Sequence, residues 1–84
     1  MRFDVVWSSK AERELADLFL EASDRYEVRL AADWLDQQLG TQPDRIGVEV
    51  HEGLLVTRRA PLKVFFSISA EDRRVEVLQI RRMA

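Results

Sequence analysis

The apolar residues of this chain change period partway along it. Up to Leu39 they recur at helical spacing, and from Ile46 onward they alternate with polar residues. A period near 3.6 lays an apolar stripe along a helix, and a period of two lays one along a strand face, so the two segments must fold differently. Ala11, Leu15, Leu18, Phe19 and Ala22 predict a first helix that ends near Ala22, with Ser9-Lys10-Ala11-Glu12 as its capping box. Asp24-Arg25-Tyr26-Glu27 reads as a second box. It opens a helix whose stripe is Val28, Ala31, Ala32, Leu35 and Leu39. Gly40 stands where a helix end favours a left-handed residue, and Pro43 bars early resumption. Only Ser23-Asp24 separates the helices, which predicts an antiparallel hairpin.

The strand signals begin with Phe3 to Trp7, which is rich in β-branched and aromatic residues. Later, Ile46, Val48 and Val50 alternate with Gly47, Glu49 and His51, and Glu52-Gly53 marks a tight turn. From Gly53 to Ser69 two apolar strands meet at Ala60-Pro61, with Arg58, Arg59 and Lys63 crowded around the joint. Leu62, Val64, Phe66 and Ile68 define one face of the second strand, with Lys63, Phe65, Ser67 and Ser69 on the other. A last strand, Val75 to Ile80, follows the polar turn Glu71-Asp72-Arg73. The expected fold is α+β and a single domain over residues 1–84: an antiparallel sheet in the order β-α-α-β-β-β-β, with an N-terminal strand and a two-helix hairpin packed on one face.

The formal net charge of −2 hides an asymmetry. Residues 1–56 carry 6 Lys/Arg against 12 Asp/Glu, and residues 57–84 carry 7 against 3. A basic sheet can therefore face an anion while acidic helices stay in water, or the two halves can neutralise each other. With no Cys and one His the chain cannot build a usual zinc site, and neither a metal nor another cofactor is expected. The carboxylate pairs Asp33/Asp36 and Asp17/Glu21 read as solvated helix faces, and three scattered glycines form no phosphate loop. No apolar run is long enough to span a membrane and no signal-peptide pattern opens the chain, which fits a cytoplasmic setting.

The order of elements, with Val5-Val6-Trp7, Ala11 and Glu14-Leu15, Gly53-Leu54 leading to Arg58, Pro61-Leu62-Lys63-Val64-Phe65-Phe66-Ser67-Ile68, and the closing Val75 to Arg82, resembles the RelE/ParE superfamily of bacterial toxins from type II toxin–antitoxin modules. The resemblance covers nearly the whole chain and implies a cognate antitoxin whose C-terminal segment wraps the toxin. RelE-like members cut messenger RNA in the ribosome, whereas ParE-like members poison DNA gyrase and need no nuclease residues. The expected function is a toxin that inhibits translation by mRNA cleavage, with gyrase inhibition as the alternative. A third reading is a degenerate, non-toxic member that binds a partner or forms a homodimer.

Metal-independent RNA cleavage needs a base for the 2′-hydroxyl, cations for the phosphorane charge, and an acid for the leaving oxygen. By the resemblance, Arg58 or Arg59 matches the arginine before the Pro61 turn, Lys63 the basic residue after it, and Arg81 or Arg82 the group closing the last strand. Because neighbouring strand residues point to opposite faces, at most one Arg of each pair lines the surface with Lys63. Leu54, Val56 and Arg58 share a parity that reads as the helix-covered face, which puts Arg59 with Lys63, unless a bulge at Ala60-Pro61 reverses the choice. RelE-like nucleases usually carry a Tyr or His near the C-terminus, and Arg82-Met83-Ala84 has neither. His51, beside Glu52 at a hairpin tip, is the only candidate base. Tyr26, Leu30 and Trp34 form a second stripe on the second helix that suits a protein partner. Phe65, beside the cations, suits base stacking or an antitoxin side chain.

Overall fold

The computed structural model describes residues 2–83, so Met1 and Ala84 lie outside the described part. The elements are β1 (Asp4–Trp7), α1 (Ser9–Glu21), α2 (Arg25–Thr41), α3 (Pro43–Ile46), β2 (Val48–His51), β3 (Leu54–Arg59), β4 (Leu62–Ser69) and β5 (Arg74–Arg82). The strands form one sheet in the order β1-β5-β4-β3-β2. Four of them make an antiparallel meander, and β1 pairs parallel to β5 at one edge. The sheet is therefore mixed, not wholly antiparallel as the sequence suggested. The α1–α2 hairpin intervenes between β1 and the meander and returns the chain to the far side of the sheet.

The core lies between this hairpin and one sheet face. Ala11, Val28, Ala31, Leu35 and Leu39 from the helices meet Leu62, Val64, Phe66, Val75, Val77 and Ile80 from the strands. Each large aliphatic or aromatic side chain in that set contributes about 1.5–3 kcal/mol by leaving water. The helical stripes and the alternation of β4 thus do what their periods require.

Several local signals resolve differently. The N-cap of α1 is Ser8, whose Oγ accepts the Ala11 N–H at 3.0 Å, so the cap sits one residue before the predicted Ser9. Asp24 precedes α2 but does not cap it with its side chain; its Oδ2 accepts from Arg82 instead. Gly40 lies inside α2, not beyond it, and its carbonyl accepts the Phe3 N–H at 2.7 Å as β1 passes close by. Pro43 starts the short α3 at a position where a missing N–H costs nothing. Ile46 ends that helix, so β2 begins only at Val48, and all four of its residues are exposed. Arg25 ties the hairpin together by donating to the Phe19 and Leu20 carbonyls at the end of α1, each at 3.0 Å.

Gly47, between α3 and β2, leaves no room for a side chain. A Cβ there would stand 2.6 Å from Phe66 Cζ, 2.9 Å from Leu55 Cδ2 and 3.0 Å from the Pro43 carbonyl oxygen. Gly47→Ala is expected to destabilise the fold by about 1–3 kcal/mol through overpacking. Thermal denaturation should show a Tm lowered by at least about 5 °C; an unchanged Tm would mean that Phe66 moves aside without cost.

Candidate functional site

The register of the meander decides which cations share a surface. Across the cis Ala60–Pro61 turn, Arg59 opposes Leu62 and Arg58 opposes Lys63. Directly opposed residues of an antiparallel pair point to the same side, so Arg58, not Arg59, accompanies Lys63. Arg59 faces the helices instead, where its guanidinium lies 4.8 Å from the centre of the Trp34 ring. No register shift occurs at Ala60-Pro61. The parity that holds within one strand inverts across a two-residue turn, and that inversion corrects the assignment made from sequence.

A second register feature places Arg81. From Ser69↔Arg74 to Phe66↔Val77 the β4–β5 pairing is regular, and it then shifts so that Phe65 opposes Gln79 and Leu78 is the extra residue. This bulge keeps Ile80 in the core with Val77 and sets Arg81 directly opposite Lys63. Arg58, Lys63 and Arg81 therefore form a row across β3, β4 and β5 on the face away from the helices, at the interstrand spacing of about 4.8 Å. Phe65, half-buried, belongs to the same face, and the Lys63 ammonium sits 5.5 Å from its ring centre. Val56, opposite Phe65, is buried on this side apart from the main core.

The two terminal arginines are both engaged by carboxylates of the helical hairpin. Arg81 Nη1 lies 2.5 Å from Glu14 Oε2, and Arg82 Nη2 lies 2.7 Å from Asp24 Oδ2. Arg82, on the helix-covered face beyond Ile80, does not join the row. Neither Arg58 nor Lys63 has such a partner among the described residues. His51 opposes Leu54 at the other end of β3, four residues from Arg58, which is about 13 Å along the strand. The proposed base is thus not brought to the cations.

On the helical side, Leu20, Tyr26 and Leu30 are 69%, 69% and 50% exposed. A groove of about 620 Å³ between α1 and α2 runs past Trp7, Leu15, Phe19, Leu20, Val28 and Ala32. Trp34 departs from the predicted partner-binding stripe, since it packs against the core and under Arg59. Among the described residues no cluster of His, Asp or Glu suits a metal, and no helix is long and apolar enough to cross a membrane.

The residue that sequence reading missed is Glu14. Its Oε1 accepts the Ile80 N–H at 3.0 Å while Oε2 holds Arg81. Its partial burial pushes its pKa up, but the Ile80 N–H and the Arg81 guanidinium outweigh this and hold it below its ordinary value of 4.5. Asp24 is likewise held low, chiefly by its hydrogen bond from Arg82, whose own pKa is raised in return. Groups whose folded pKa is depressed stabilise the protein above their unfolded pKa, and that contribution is lost as pH falls through the folded value. Glu14→Gln is accordingly expected to flatten the acid limb of the stability profile, measured as Tm between about pH 6 and pH 3. Parallel profiles for the two proteins would show that the carboxylate is not linked to folding.

No family model matches the sequence, and no curated protein matches it either. Solved structures do match. The RelBE2 toxin–antitoxin complex from Mycobacterium tuberculosis contains a chain similar at TM-score 0.81 and 19% identity, covering 98% of this chain and 99% of that one. A chromosomal ParDE TA system from P. aeruginosa matches at TM-score 0.70 and 14% identity, covering 99% and 98% of the two chains. TrmO from Pseudomonas aeruginosa matches at TM-score 0.64 and 19% identity, with 95% of this chain lying on 35% of the other. A mixed five-stranded sheet carrying an α1–α2 hairpin, matched end to end by chains of a RelBE2 complex and a ParDE system, gives this protein the RelE/ParE-type fold.

Proposed function

We propose that this chain is the toxin of a two-protein toxin–antitoxin module, and that it acts by gripping a phosphate backbone without cutting it. The reading is carried by the row Arg58, Lys63 and Arg81 on the uncovered face of a RelE/ParE-type sheet. Arginine offers a planar fork of donors matched to phosphate oxygens, and lysine adds a compact charge beside it. Phe65 next to Lys63 supplies a ring on which a splayed base can stack. Messenger RNA on the ribosome and DNA held by gyrase both present such a backbone. The antitoxin partner is inferred from the toxin–antitoxin complexes that share the fold.

Binding without cleavage is favoured by what surrounds the row. A general base or acid must stand within hydrogen-bond reach of the atoms it serves. His51 lies at the other end of β3, and Tyr26 projects from α2 on the helical side. Arg82, which the resemblance offers beside Arg81 for the phosphorane, lies off the row and is held by Asp24.

Induced expression of the chain is expected to arrest growth, and co-expression of the neighbouring open reading frame to restore it. Arg58→Ala/Lys63→Ala should relieve the arrest and weaken nucleic-acid binding about tenfold or more, because two charge-assisted contacts are lost. Total RNA from arrested cells is expected to remain intact. Transcripts cut at discrete sites would replace this reading with the nucleolytic one, and unimpeded growth would remove the toxin assignment.

A further inference from the structure

Past Val77, the outer edge of β5 has no strand beside it, because β1 ends at Trp7. The α1 segment closes that edge. The Ser8 N–H donates to the Val77 carbonyl at 2.9 Å, the Ser8 hydroxyl donates to the Leu78 carbonyl at 3.3 Å, and Glu14 takes the Ile80 N–H. Glu14 then uses its second oxygen on Arg81, whose strand position belongs to the uncovered face but whose guanidinium is drawn to the edge. We propose that Glu14 is a latch that withholds Arg81 from the cationic row until a phosphate backbone displaces it. The row thus has two working members in the free protein and three in the bound one. The inference rests on the phosphate-binding reading above and adds to it a positioning residue, Glu14.

The two partners of the latch are not equally committed. Glu14 is held by a main-chain N–H as well as by Arg81, and its side chain is only 19% exposed. The Arg81 side chain is 48% exposed, so an incoming anion can reach it. When Arg81 leaves, Glu14 keeps its bond to Ile80 and the strand edge stays closed. A partly exposed ion pair is a weak restraint, and a phosphate offers the guanidinium two oxygens in the same planar geometry. The latch also answers an electrostatic difficulty. Three cations at neighbouring positions across the sheet repel one another while no anion is bound, and Glu14 neutralises the outermost.

The test is a titration of a labelled 20-nucleotide oligouridylate with the wild type, Glu14→Gln, and Glu14→Gln/Arg81→Gln. Glutamine still accepts the Ile80 N–H through its carbonyl oxygen but does not bind Arg81 as an anion. Glu14→Gln is expected to bind about five- to tenfold tighter at low salt, with a log–log salt slope steeper by about 0.7, as for one further phosphate contact. The double variant is expected to lose both gains. Equal binding and slope in the wild type and Glu14→Gln, or a gain that survives in the double variant, would overturn the latch. A 20-base-pair DNA duplex run in parallel tells which nucleic acid supplies the phosphates, and a Glu14-dependent gain on either supports the proposal. If neither nucleic acid binds any of these proteins at low salt, the phosphate-binding reading falls and the latch with it. Binding that needs Arg58 and Lys63 but ignores Glu14 sinks the latch alone. Side-chain guanidinium NMR of the wild type gives a reading that needs no variant. The Arg81 signal should move on addition of the oligonucleotide, and an Arg58 signal that moves while Arg81 stays still would contradict the proposal.

Discussion

A strand that outruns its neighbour leaves main-chain groups without partners, and the rest of this structure is arranged around one such edge. β5 is nine residues long and β1 is four, so the outer side of β5 past Val77 must be satisfied by something other than a strand. The chain leaves β1 at Trp7 and turns directly into α1, which lies along that edge. Ser8 therefore serves two ends at once, capping α1 and bonding to the Val77 and Leu78 carbonyls. Glu14, nearly two turns further on, covers Ile80. The placement of the helical hairpin, and hence of the buried core, follows from this docking.

The same edge sets the electrostatics of the uncovered face. Acidic helices and basic strands do partly neutralise one another, as the charge asymmetry allowed, but among the described residues they do so at two points and not generally. Glu14 meets Arg81 and Asp24 meets Arg82, both at the end of β5, while Arg58 and Lys63 remain without carboxylate partners among the described residues. Charge is thus concentrated where β3 and β4 turn. The rest of that face is less charged, with Val56 buried and Phe65 and Gln79 half-buried beside it. An apolar floor beside unpaired cations strengthens their interaction with an arriving anion, because less water competes for it.

Fold likeness and function come apart here in an instructive way. The architecture is met in RelBE and ParDE toxin–antitoxin complexes and also within a third of the longer TrmO chain. A scaffold shared so widely does not name a chemistry, and function must be argued from the side chains grafted on it. On this scaffold the chain carries a cationic row with neither His51 nor Tyr26 beside it.

By itself the sequence determined the five strands, the two long helices and the main core, though not the short α3 that takes Ile46 out of β2. The helical stripes of Val28, Ala31, Leu35 and Leu39, and the alternation of Leu62, Val64 and Phe66, are periodic along one element, and burial follows that period. It also determined that cations would cluster at the Pro61 turn and at the end of the last strand, and that the chain carries no thiol. Only the tertiary structure decided which of those cations share a face. The two-residue turn pairs Arg58 with Lys63, and the extra residue Leu78 brings Arg81 opposite Lys63 while Ile80 stays inside. Both depend on register between strands, which alternation within one strand does not encode. The roles of Ser8, Glu14 and Asp24 were equally hidden. Their partners lie 70, 66 and 58 residues away along the chain, and a carboxylate reads locally as a helix cap or a solvated face until the strand edge beside it is known.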